Sequence, residues 1–184
     1  MKNAQWSLDP THSEIQFKVK HLMISKVTGQ FKDFTATVET DGDDFTSAHI
    51  SFEADINSIS TNNDQRDAHL KNGDFFDVDN HPKLTFVSEK MERVDDENYL
   101  LHGTLTMRGV SRQETFKVEY GGTITDPWGL TRAGFTLDGK INRMNYGVSF
   151  GAVSETGGIM LGEEVSIHAQ AEFVKQSTPE PVLA

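Results

Sequence analysis

The chain has no cysteine, which excludes disulfides, thiolate metal sites and a cysteine nucleophile. No stretch approaches the roughly 20 apolar residues of a membrane helix. The opening Met1-Lys2-Asn3-Ala4-Gln5-Trp6 runs straight into polar sequence without the apolar core of a secretory leader. A cytoplasmic form without an integral membrane segment is therefore expected. Basic charge is also scarce: Lys and Arg number 17 against 28 Asp and Glu, for a net charge of -11. Phosphate binding needs a basic footprint, so this balance argues against a nucleic-acid partner. The seven histidines show none of the His-x-His, His-x₃-His or His-Glu-x-x-His spacings of zinc sites, and no metal is expected. No linker, repeat or low-complexity tract divides the 184 residues. One domain over residues 1–176 is expected, with a disordered tail over 177–184 that carries Pro179 and Pro181.

What the chain does have is alternation. Ile15, Phe17, Val19 and His21 share one face of a run whose other face carries Glu14, Gln16, Lys18 and Lys20. Successive strand side chains point to opposite faces, so such a run buries one face and wets the other. Ala48, Ile50, Phe52, Ala54 and Ile56 repeat the pattern, as do Phe116, Val118 and Tyr120, then Ala133 to Ile141, then Val165 to Phe173. A slip by one residue would expose a whole apolar face, which specifies register. The polar face carries many charges, unlike the lipid-facing side of a membrane barrel.

These runs predict eight long strands: 13–23, 27–39 with a bulge near Lys32-Asp33, 48–56, 84–91, 99–108, 113–121, 130–141 and 165–174. A short extra strand precedes them over 6–9, before the Asp9-Pro10-Thr11-His12-Ser13 turn. One segment departs from the pattern. Thr61 reads as an N-cap, Asp64 to Lys71 as two helical turns, and Asn72-Gly73 as their end. The fold class is all-β, an extended eight-stranded antiparallel barrel with one short helical segment around 61–72.

Eight strands leave an interior that is either packed or able to hold one small ligand. The inward set mixes Phe17, Phe31, Phe52 and Phe135 with Ala36, Ala48, Ala54, Gly103, Ala133, Gly139, Ala169 and Ala171. So many small residues predict unfilled volume, suited to an apolar guest. At about 0.8 kcal/mol per buried CH₂, a guest of roughly 20 carbons would gain about 16 kcal/mol before association costs.

Motifs at the turns add a further reading. Trp6-x-x-Asp9-Pro10-x-His12-Ser13, Lys18-x-Lys20-His21-Leu22-Met23 and Gly29-x-Phe31 are followed by Thr61, Arg66-Asp67-x-His69-Leu70 and Phe75-Phe76-Asp77. Next come His81-Pro82, Phe86-x-Ser88, Gly103-x-Leu105-Thr106-Met107-Arg108-Gly109-Val110, Asp126-Pro127-Trp128-Gly129, Arg143 and Tyr146-Gly147. In this order, from Trp6 to about Val174, they resemble the YceI-like family. The resemblance implies a lipocalin-like barrel with an apolar pore for a polyisoprenoid, an isoprenoid quinone or a fatty-acid derivative, with no catalytic residues and no further cofactor. Many family members are exported to the periplasm.

Expected pore residues are Phe17, Val19, His21, Phe31, Ala36, Phe52, Ala54, Leu105, Phe135 and Ala169. His12, Arg66, His69, Phe75 and Phe76 are candidates for a headgroup contact or lid. Each polar candidate has a structural alternative: His21 as a core histidine, His12 as a stabiliser of its turn, and Arg66 within an Arg-carboxylate network pinning the helical connection. Phe75 and Phe76 are read as plug or wall. Two other functions compete with a lipid carrier: an enzyme using His21 or His69 as general base, which lacks a Gly-x-Ser-x-Gly elbow, and an interaction domain with a filled barrel. A homodimer through strand edges or an apolar rim is a further expectation.

Overall fold

A computed structural model describes residues 3–151 and 160–177. The tail expected beyond residue 177 lies outside them. The strands are β1 (Asn3–Leu8), β2 (Glu14–His21), β3 (Ser25–Phe31), β4 (Phe34–Asp41), β5 (Asp44–Asp55), β6 (Ile59–Ser60), β7 (Lys83–Arg93), β8 (Asn98–Met107), β9 (Val110–Thr125), β10 (Thr131–Asn142) and β11 (Leu161–Lys175), with one helix, α1 (Asp64–Lys71). All pairings are antiparallel.

Eleven segments build eight walls because three strands are interrupted. β1 and β2 run in the same direction along β11, Leu8 opposite Phe173 and Glu14 opposite Gln170. Between them Pro10 to His12 bulge out as a 3-10 turn capped by Asp9. β3 and β4 form the next strand, broken at Lys32-Asp33 as the phase shift of the apolar residues predicts. β5 and β6 form the third. β7 to β11 complete a meander, and β11 closes it onto β1 and β2. The result is a closed eight-stranded antiparallel barrel, and closure protects the backbone edges that an open sheet would present.

The short Trp6 segment, expected as an addition to the eight strands, is instead half of the closing strand, paired with both β4 and β11. The strand expected over 13–23 stops at His21, because Leu22 and Met23 turn the chain at positive φ. The helix forms over the expected residues, but its N-cap is Asn63, whose side chain accepts the Arg66 N–H at 2.9 Å. Thr61 instead accepts from Arg66 and donates to Asp67. Gly73 is not among the left-handed glycines; Gly109 and Gly129 are, at φ 72° and 84°.

Candidate functional site: the barrel cavity

The inward faces enclose an apolar cavity of about 180 Å³. Its wall includes Ile15 and Phe17 of β2, Ala36 of β4, Ile50 and Phe52 of β5, Leu105 of β8, Phe135 of β10 and Ile167 and Ala169 of β11. The polar residues touching it are Glu14, Gln16 and Gln170, all on the paired β2 and β11. The walls differ in burial. Ala36, Ala48, Leu84, Phe86, Leu101 and Leu105 are buried, whereas Ile15, Phe17, Phe135, Ile167, Ala169 and Ala171 are only half-buried despite their inward phase. Half-buried apolar residues thus face the cavity from the β10-β11-β2 side, and Phe34, Ile50 and Phe52 of β4 and β5 add a second half-buried group.

The cavity is smaller than the alternation implies. It is of the order of the ~150 Å³ engineered void that holds a single benzene, and falls short of room for 20 carbons. The reason is local. A Cβ on Gly29 would lie 2.2 Å from Phe17 Cζ, one on Gly103 2.5 Å from Phe86 Cζ, and one on Gly139 2.3 Å from Phe116 Cδ1. Each glycine is thus a seat for a neighbouring phenylalanine ring, and the volume expected at Gly103 and Gly139 is already filled.

Of the expected pore residues, Phe17, Ala36, Phe52, Leu105, Phe135 and Ala169 line the cavity, while Val19, His21, Phe31 and Ala54 do not. Val19 and His21 lie further along β2 toward its hairpin, opposite Val27 and Ser25. Phe31 packs between Phe17 and Phe76, at ring distances of 5.7 and 6.3 Å. Ala54 is wholly buried beside Phe34 and Leu84.

An aromatic cluster that alternation alone does not single out fills the end of the barrel near β1. The Phe45 ring stands 5.4 Å from Trp6, 5.3 Å from Tyr120 and 5.0 Å from Phe135, and Phe135 is 6.1 Å from Phe173. Phe45 follows Asp41-Gly42-Asp43-Asp44, so its strand is hidden in a turn-like sequence. Trp6 Nε1 donates to buried Thr40 Oγ1 at 3.1 Å, which satisfies the one polar atom of its ring.

The other end carries the helical connection. Phe75 and Phe150 pack against His69, each ring 5.0 Å away, and His69 Nε2 meets Asp74 Oδ2 at 2.9 Å. Arg66 donates from Nε to Thr61 Oγ1 and from Nη2 to the Thr61 carbonyl, both at 2.7 Å. The Asp67 carboxylate accepts the Thr61 N–H and hydroxyl at 2.8 and 2.6 Å. These bonds anchor α1 to the end of β6 through Thr61, rather than through a direct arginine-carboxylate pair. Neither His21 nor His69 lines the cavity.

Apart from Glu14, no charged side chain among the described residues lines the cavity. Arg143, buried, donates to the carbonyls of Val148 (2.7 Å), Phe150 and Gly162 (2.8 Å each) and Leu161 (3.1 Å); burial pushes its guanidinium below the usual arginine range. Tyr146, with no exposed surface, donates to Glu114 at 2.7 Å, and burial followed by that carboxylate raises its phenol far above the usual value. At the first strand's break, Asp9 binds His12 Nδ1 at 2.9 Å and Arg132 Nη1 at 2.8 Å, and Arg132 Nε reaches Asp126 at 2.7 Å. His12, with Thr11, holds Asp9 well below the usual carboxylate range, and Asp9 raises His12. Asp9, His12 and Glu172 also have metal-like spacing, but the Arg132 guanidinium already supplies the positive charge there.

These features can be set beside known proteins. The YceI-like domain family matches residues 6–173. UPF0312 proteins of Staphylococcus epidermidis and Staphylococcus aureus are each 42% identical over 171 residues, 92% of this chain and 97% of the relative. Among solved structures, a Campylobacter jejuni YCEI protein superposes with a TM-score of 0.76 at 32% identity, covering 86% of this chain and 90% of that one. A polyisoprenoid binding domain from Saccharophagus degradans, implicated in plant cell wall breakdown, gives 0.71 at 17% identity, covering 93% and 98%; at that identity the likeness is one of fold alone. Closed barrel, ordered motifs and 42% identity over nearly the full length agree, and the chain belongs to the YceI-like family.

Proposed function

We propose that this protein binds the apolar chain of an amphiphile inside its barrel and carries or sequesters it, the guest being a polyisoprenoid, an isoprenoid quinone or a fatty-acid derivative. The observation that carries this reading is the cavity itself: an apolar interior volume walled by Phe17, Ala36, Phe52, Leu105 and Ala169 and left unfilled by the protein's own side chains. Interiors normally pack to crystal-like density, so such a void costs stability unless a guest fills it. The Saccharophagus domain of the same fold, named for polyisoprenoid binding, supports the class of guest.

The cavity as it stands takes a ring or a short stretch of chain. A longer guest needs the Phe17 or Phe135 rings, both half-buried, to swing aside. Such rotamer changes are ordinary at ligand sites. Organic extraction of freshly purified protein followed by mass spectrometry, with native mass spectrometry of the intact complex, tests the proposal. A stoichiometric prenyl or acyl lipid is the expected result. Protein that is empty and also takes up no added prenyl lipid, quinone or fatty acid overturns it.

A further inference from the structure

The β2-β3 hairpin ends in Leu22-Met23-Ile24, exposed at 47%, 52% and 85%. The Ile24 N–H closes the turn on the His21 carbonyl at 3.2 Å, with Leu22 and Met23 as its central residues at φ 52° and 61°. Turns with two positive φ values favour Asn-Gly and disfavour bulky side chains. Two large apolar residues therefore stand where backbone geometry opposes them and water surrounds them. Met160, 40% exposed, accepts the Leu22 N–H at 2.7 Å and extends the patch.

The stem of this hairpin is basic in a chain of net charge -11. No Asp or Glu occurs between Ile15 and Lys32. Lys18, Lys20 and Lys26 lie exposed on the outer face, Lys20 directly opposite Lys26, a pairing in which like charges repel. Among the described residues the lysines in ion pairs are Lys83, Lys140 and Lys175. The nearest acidic residues along β11 are Glu163 and Glu164, and Glu164 is held by Lys140 at 3.3 Å.

We propose that this hairpin docks on an anionic lipid bilayer, with Leu22, Met23 and Ile24 entering the interface and Lys18, Lys20 and Lys26 meeting the headgroups. An apolar tip with a lysine collar matches both parts of such a surface, the lysines keeping their ammonium groups at headgroup level while their stems lie against apolar matter. The opposite end offers an internal contrast. The β9-β10 hairpin exposes Ile124 at 65% and Trp128 at 82%, but residues 119–131 contain no Lys or Arg.

The test is co-sedimentation of the full chain with vesicles of phosphatidylcholine alone and of equimolar phosphatidylcholine and phosphatidylglycerol. Wild type is expected to bind the anionic vesicles preferentially, and less as salt rises. The double substitution Leu22→Asn/Met23→Gly installs a favoured turn, so it should keep or raise the thermal midpoint while weakening vesicle binding by about tenfold or more. Lys20→Gln/Lys26→Gln should weaken it by about fivefold per lysine, and Trp128→Ala should leave it unchanged. Docking is independent of cavity occupancy, so Ala169→Phe should still sediment even where it no longer takes up lipid. Equal binding to both vesicles, no binding to either, or undiminished binding by Leu22→Asn/Met23→Gly overturns the proposal. Capture by a membrane protein with pure lipid ignored also overturns it, in favour of a protein partner.

Discussion

The ring of Phe17 lies over Gly29, its direct cross-strand partner, so closely that a Cβ on Gly29 would sit 2.2 Å from Cζ. The pair links fold to cavity: the glycine lets the ring lie flat against β3, and the ring's other side lines the void. Gly103 with Phe86 and Gly139 with Phe116 repeat the device on other walls. A glycine normally weakens a strand, but a covering aromatic ring restores the lost packing.

Gly29→Ala should therefore destabilise, against the usual trend for glycine replacement in a strand. The methyl group must push Phe17 off its seat, an overpacking cost of about 1–3 kcal/mol. Urea denaturation measures it. Phe17→Leu in the same background should recover part of the loss, and additive effects of the two substitutions would show that they do not share this contact.

Cavity filling separates two alanines that look equivalent in the alternating pattern. Ala169→Phe adds its ring to existing free volume, so the protein should fold and lose lipid uptake. Ala54→Phe has no such volume, since Ala54 is fully buried away from the cavity, and should lower the thermal midpoint strongly or prevent folding. Circular dichroism melts with uptake of a prenyl lipid read both outcomes. A folded Ala54→Phe protein with a high midpoint would show that this corner is open.

Arg143→Met should cost about 3 kcal/mol or more. It strands four carbonyls that the buried guanidinium satisfies, and each unsatisfied buried group costs on the order of 1–3 kcal/mol with partial relief by water. Hydrogen exchange should locate the damage in the turn after β10 and the start of β11, where all four acceptors lie. Lipid chemistry should be untouched, because Arg143 does not line the cavity.

Stability should depend on pH at both sides of neutrality. Asp9 and Asp126 are lowered from an ordinary 3.8, so their contribution is present above that value and fades as pH falls through their folded pKa values. His12 is raised from 6.5 by Asp9 and Glu172. Its contribution is complete below 6.5 and is lost as pH rises through the folded value. Urea midpoints for wild type should thus be highest between these limits, and His12→Gln should abolish the decline on the alkaline side and weaken the acidic one, leaving the part that Thr11 and Arg132 support at Asp9 and Asp126. His12 is largely exposed, so the effect is small and should shrink in high salt.

The sequence by itself determined which face of each strand is buried, the break at Lys32-Asp33, the helix over Asp64 to Lys71 and the turn glycines Gly109 and Gly129. These follow from local chemistry: alternation along one strand, a carboxylate in the first turn of the helix, and the φ that only some residues accept. The tertiary structure alone decided what stands beside each strand. Trp6 became part of the closing wall because Val38 and Lys175 arrive as its neighbours from distant parts of the chain. Phe45 joined an end cluster built from five separate strands, and inward glycines that read as empty space received rings from adjacent strands. Alternation assigns a side chain to the interior but carries no information about which side chain arrives opposite it, and cavity volume depends on that second fact.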